Sequence, residues 1–79
     1  MPRYYFNVQD GHTTLDEEGS LLPSLQEARD EALRLSGDIL REGASATLWS
    51  GEAWRMWVTD APNGAGKTLF TLRFSAADG

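Results

Sequence analysis

The stretch SLQEARDEALRLSGDILRE, residues 24–42, decides the fold because only here do apolar residues repeat at helical spacing. Successive apolar positions lie three or four residues apart, so they share one stripe of an α-helix. The stripe consists of Leu25, Ala28, Ala32, Leu35 and Ile39, and is widened by Leu33 and Leu40. It predicts an amphipathic helix with one side buried.

The ends of this helix are also marked in the sequence. Ser24 is a good N-cap, and Glu27 stands three residues later, where its carboxylate can reach back to the amide of the cap. Pro23 lies just outside, and Gly43 is the expected stop. Gly37 is unfavourable inside a helix, which suggests either a close approach to a sheet or an early loosening of the helix.

Residues 3–9 alternate between apolar and polar side chains, as a half-buried strand does. Asp10 and Gly11 follow and favour a two-residue hairpin turn. In that register Phe6 faces Leu15, so Leu15 is expected on the same side as the apolar residues of the first strand.

Alternation returns in the second half of the chain, in two segments joined by a glycine-rich loop. The connector 44–53 shows no readable pattern. The predicted elements are strands at about 3–9, 12–16, 54–60 and 68–74 and a helix at about 24–42. They form a single α+β domain, residues 1–79, with β-β-α-β-β order. Its four-stranded antiparallel sheet, in the strand order 2-1-3-4, carries one helix packed on one face.

Composition narrows the possible partners. The 79 residues include twelve acidic and seven basic side chains, a formal net charge of −5, and no cysteine. Binding to nucleic acid is disfavoured because the chain has few clustered basic residues. Its acidity instead suits a basic protein partner. A short domain without disulfides or the common structural zinc sites can add stability by good packing or by self-association, and we expect a homo-oligomer. The absence of a membrane-spanning or signal-like stretch leads us to expect a cytoplasmic protein.

The segment APNGAGKT, residues 61–68, resembles a phosphate-binding P-loop with alanine in place of its first glycine. A P-loop needs a helix directly after it, whereas the residues after Lys67 alternate like a strand. Asn63, Gly64 and Gly66 instead suit the positive φ angles of a hairpin loop. We therefore expect a turn here and no bound nucleotide.

The acidic residues 16–18 and the single histidine, His12, could suggest a metal or catalytic site. Adjacent strand residues point to opposite faces, so these carboxylates are not expected to converge on a metal. We expect no cofactor and no enzymatic activity, because no catalytic constellation is apparent. The alternative is a small-ligand binder or enzyme that uses His12 with Asp10 or Asp16.

The sheet face opposite the helix is the predicted interaction site. It carries residue types enriched at protein interfaces, with polar residues between them. They are Tyr5, Arg55, Trp57, Leu69, Thr71 and Arg73. Self-association or another protein would bury the aromatic rings, and single-stranded nucleic acid could stack on them. The negative net charge favours a protein partner over nucleic acid. The simpler interpretation is that an arginine merely stacks on Trp57 in solvent.

Several motifs together resemble a family of short, uncharacterised bacterial proteins. They are MPRYYFNVQDG at the start, LDEEGSLLPSLQEARDEAL through the helix, WRMWVTD and the closing TLRFS. The family carries a domain-of-unknown-function label, so the resemblance implies a shared pattern and no activity. The pattern includes Asp10, Gly11, Asp16, Glu17, Gly19, Leu22 and Pro23.

A weaker likeness links the chain to HicB-type antitoxins, which also begin with a tyrosine-rich strand and place a helix after a hairpin. This chain has two strands before the helix rather than three, and no evident DNA-binding tail. The likeness implies an acidic inhibitor of a basic toxin, the alternative to a general protein-interaction or regulatory module.

Overall fold

The computed structural model describes residues 1–44 and 48–78. It contains one helix and an open antiparallel sheet, which confirms the predicted α+β fold. The helix is α1, Leu25–Ile39. The strands are β1 Arg3–Gln9, β2 Thr13–Thr14, β3 Ser20–Leu21, β4 Trp54–Thr59 and β5 Thr68–Phe74.

The sheet has five strands, one more than expected. Its main path runs β2-β1-β4-β5, with every neighbouring pair antiparallel. The additional strand is β3, which pairs with β1 beside β2. The alternation pattern predicts no strand at these residues.

The predicted register of the first hairpin is wrong by one residue. Val8 pairs with Thr14 rather than Thr13, and the amide of Asp10 donates to the carbonyl of His12 at 3.1 Å. The turn therefore contains three residues rather than two. Because a one-residue shift exchanges the two faces of a strand, Leu15 lies beside Gly64 on the side away from the helix, where it is 41% exposed.

Between β2 and β3 the chain leaves the sheet edge. Val8 pairs with Thr14 and Tyr4 with Ser20, so residues 15–19 lie opposite the three residues between Tyr4 and Val8. The carboxylate of Asp16 fills the resulting gap by accepting the amide of Phe6 at 3.0 Å. A side chain thus replaces the missing backbone partner of β1.

The helix lies on the face of the sheet that carries the apolar strand residues. Its buried positions, Ala28, Ala32 and Ser36, are all small, and the hydroxyl of Ser36 lies 3.6 Å from the sulfur of Met56. Small side chains allow a helix to approach a sheet closely. The buried core consists of Tyr4, Ala28, Ala32, Trp54, Met56 and Val58.

Three details of the predicted helix differ from the structure. Leu33 is 57% exposed, so it does not widen the buried stripe. Outside the helix itself, none of the described residues comes within 4 Å of the Cβ position of Gly37, so this glycine does not mark a close approach to the sheet. The α-helix ends at Ile39 and continues as a π-helical segment, Leu40–Ala44.

The predicted connector 44–53 is only partly described, since residues 45–47 lie outside the described residues. Leu48 packs against the core, whereas Trp49 is 66% exposed. In the described part of the chain, no helix has the length and apolar character required to cross a membrane.

Candidate functional site

The sheet face opposite the helix is built around a stacked pair of side chains. Arg55 and Trp57 lie two residues apart on β4, so they project to the same face. The guanidinium carbon of Arg55 lies 4.3 Å from the centroid of the Trp57 ring. Arg55 also donates to Oε1 of Gln9 on β1 at 2.9 Å. The stacking contact with Trp57 and the hydrogen bond to Gln9 together hold the arginine in place over the ring.

β5 adds a second arginine to this face. Arg73 pairs directly opposite Arg55, and Thr71 pairs opposite Trp57. Like charges on directly opposed strand positions repel each other. Within the described residues, neither arginine has a carboxylate partner that would offset this repulsion. We call this surface the Arg–Trp patch. It consists of Gln9, Arg55, Trp57, Thr71 and Arg73.

The structure does not place all six predicted interface residues together. Tyr5 lies at the other end of this face, where Gly19 covers it: a Cβ at Gly19 would stand 2.9 Å from Cδ1 of Tyr5. Leu69 is the extra residue of a bulge in β5 and packs against the buried core. Arg55, Trp57, Thr71 and Arg73 are therefore the four predicted residues that share one patch.

Beneath the patch lies a buried asparagine whose importance the sequence did not signal. Asn7 is fully buried, and its Nδ2 donates to the carbonyls of Tyr5 and Trp57 and to Oγ1 of Thr59. Its Oδ1 accepts the amide of Asp16 at 3.0 Å. The alternation of residues 3–9 puts Asn7 on this face, but it contains no information about Asp16, the loop residue that Asn7 binds.

The glycine-rich loop between β4 and β5 closes on itself. The carboxylate of Asp60 accepts the amide of Lys67 at 2.8 Å, and the amide of Asp60 donates to the carbonyl of Lys67. The amide of Asn63 donates to the carbonyl of Asp16 at 2.8 Å. Because these amides already have internal acceptors, they are not directed at a phosphate as P-loop amides are.

Two glycines of this loop and its asparagine adopt the positive φ angles expected from the sequence. At Gly66 a Cβ would collide with Oδ1 of Asp60, so only glycine fits. The loop folds over the sheet, and a Cβ at Gly64 would lie 3.8 Å from the Trp57 ring. The loop therefore forms one wall of the Arg–Trp patch.

His12 lies apart from these features. It is 86% exposed, and its Nε2 lies 3.7 Å from Oδ1 of Asp10. Asp16, its other proposed partner, accepts the amides of Phe6, Glu18 and Gly19. Among residues 1–44 and 48–78 we find no pocket and no cluster of three potential metal ligands. His12 thus lies on the open surface beside Asp10.

Comparison with known proteins places the chain in a family. Searches of curated proteins and of solved structures returned no match. The weaker likeness to HicB-type antitoxins gains no support from them. One family model, described as a domain of unknown function (DUF6894), matches residues 3–75. The match covers nearly the whole chain, and the protein therefore belongs to the DUF6894 family of domains of unknown function.

Proposed function

We propose that this chain is a non-enzymatic, cytoplasmic protein-interaction module whose Arg–Trp patch binds an acidic segment of another protein. The observation that carries the proposal is the pairing of Arg55 with Arg73 beside Trp57. Tryptophan and arginine are the side chains most enriched at the centres of protein interfaces.

The charge of the patch determines the class of partner that we propose. The chain has a net charge of −5, yet the patch contains two arginines and no carboxylate. The composition alone favoured a basic partner or a second copy. Two such patches placed face to face would bring arginines together, and a basic partner would also be repelled. An acidic partner segment would instead neutralise both guanidinium groups.

The experiment is a pull-down from native lysate with tagged wild type and two charge-reversal variants, each followed by mass spectrometry. Arg73→Glu changes the patch and places a carboxylate opposite Arg55, so the fold is preserved. Arg29→Glu makes the same change in net charge on the exposed side of the helix and serves as the matched control. Cell fractionation checks the proposed location.

We expect an acidic protein that is retained by wild type and by Arg29→Glu, while Arg73→Glu lowers its affinity about tenfold or more. The interaction should survive nuclease treatment. Retention that is lost with nuclease would indicate single-stranded nucleic acid instead. Equal retention by all three proteins would exclude the Arg–Trp patch as the binding surface.

A further inference from the structure

We infer that two copies of this chain associate through β5, whose outer edge pairs antiparallel with the same edge of the second copy. A strand edge would hold the two copies together, independently of the partner proposed for the Arg–Trp patch. The two edges of the sheet differ in how far their backbone is paired.

One edge of the sheet is closed. The outer side of β1 is paired with β2 at one end and with β3 at the other. Between them the carboxylate of Asp16 accepts the Phe6 amide. The backbone of β1 is therefore covered along most of its length, as soluble proteins commonly arrange for an edge strand.

The opposite edge is open. β5 is the last strand of the sheet, and only β4 pairs with it among the described residues. Its seven residues, Thr68–Phe74, contain no proline and no lysine, and their one charge is Arg73. The half-buried side chains of Phe70, Leu72 and Phe74 extend the apolar face to this edge. An open edge of this kind is a template for another strand.

The sequence of β5 is compatible with itself in antiparallel register. Thr71 is the middle of the seven residues of β5. A two-fold axis at this position would pair Thr71 with Thr71 of the second copy, and Phe70 of each copy with Leu72 of the other. Phe70 and Leu72 share the apolar face, so the pairing keeps both faces in phase over the three central residues, 70–72. The bulge at Leu69 ends this match towards Thr68. Arg73 comes opposite Leu69, and the two arginines are kept apart. A second copy therefore satisfies the edge without opposing like charges.

Such a dimer would have a continuous sheet in which both Arg–Trp patches lie on the same surface. A bound partner could then contact two patches at once, which raises its apparent affinity without new contacts. The dimer itself does not require that partner. Its test can therefore use purified protein alone.

The test is sedimentation velocity of the purified full chain over a concentration series, with charges introduced at the proposed axis. Thr71→Lys and Thr71→Glu each set like charges against each other at the two-fold axis, so each should weaken self-association by roughly fivefold or more. An equimolar mixture of the two variants sets lysine against glutamate and should restore the dimer. Thr71→Val is the uncharged control and should associate as wild type does.

Circular dichroism of every variant shows whether the monomer remains folded. Restoration by mixing supports the β5 register, because two misfolded proteins would not rescue each other. A monomeric wild type at all concentrations would overturn the inference, as would charged variants that dimerise unchanged. Arg73→Glu lies opposite Leu69 in this register and should keep the dimer, which separates this test from that of the proposed partner.

Discussion

Asp16 stabilises the irregular part of the sheet with one carboxylate. Its two oxygens accept the amides of Phe6, Glu18 and Gly19 at 3.0 to 3.1 Å. We expect Asp16→Ala to lower the free energy of unfolding by about 2–4 kcal/mol, because three amides lose a charged acceptor. Urea denaturation monitored by circular dichroism measures the change.

Glu17→Ala is the matched control for that measurement, since Glu17 is an exposed neighbour outside this set of hydrogen bonds. Its free energy of unfolding should change by no more than about 0.5 kcal/mol. Asp16→Asn keeps an oxygen acceptor and should fall between the two. Equal stability of the two alanine variants would contradict the assigned role of Asp16.

This role could not be predicted from the sequence, for a physical reason. The partners of Asp16 are backbone amides, which every residue except proline carries, so side-chain patterns do not reveal them. In the sequence, Asp16 stands out only as one of three consecutive acidic residues. For Asn7 the alternation indicates the strand and the face, but neither its full burial nor its hydrogen bond with Asp16 could be predicted.

At the scale of elements, the exposed side of the helix carries a linked set of charges. Arg34 lies 2.7 Å from Glu31 and 3.2 Å from Asp38, and Arg41 lies 2.9 Å from Asp38. The hydrogen bond from Arg34 holds the pKa of Glu31 below its ordinary value of 4.5. Partial burial of the carboxyl raises this pKa, whereas the positive charge of Arg34 lowers it further. Glu31 therefore stabilises the folded state when it is ionised.

We expect Glu31→Gln to lower the free energy of unfolding by roughly 0.5 kcal/mol at pH 7. A carboxylate whose folded pKa is lowered contributes stability above its unfolded pKa, and that contribution disappears as the pH falls through the folded value. The difference between the two proteins should thus be present above pH 4.5 and vanish in more acidic solution. Thermal unfolding across a pH series measures it.

Glu52→Gln removes a charge from an exposed position outside the helix and serves as the control for that series. It should show a smaller difference at pH 7. A difference for Glu31→Gln that persists unchanged in acid would show that packing, rather than its charge, causes the effect.

Periodicity predicted the elements well because burial of one face constrains a whole segment at once. It predicted their details less well. The hairpin register depends on whether His12 belongs to the turn. The hydrogen bond from the amide of Asp10 to the carbonyl of His12 places His12 in the turn. The helix phase was displaced because Ser36, a polar residue, occupies the buried centre, while Leu33 faces solvent. From composition alone, a leucine is expected to be buried before a serine. Only the position of the opposing sheet explains why the small serine is the buried residue.

At the scale of the whole molecule, dimerisation through β5 should link stability to concentration. If only the folded state dimerises, mass action raises the melting temperature as the protein becomes more concentrated. For a dimer of this size we expect about 3–5 °C for each tenfold increase. Calorimetry over a hundredfold range of concentration measures the shift, and Thr71→Lys should remove it. A melting temperature of wild type that does not depend on concentration would contradict the dimer.

The closed edge at β1 also determines where such assembly stops. In the language of polymer chemistry, a monomer with two reactive ends grows into a chain, whereas a monomer with one can only form a pair. With β2, β3 and the carboxylate of Asp16 along one edge, the proposed dimer would be built from a monomer with a functionality of one. Loss of the Asp16 carboxylate would uncover part of that second edge and could turn a self-limiting pair into the repeat unit of a fibre.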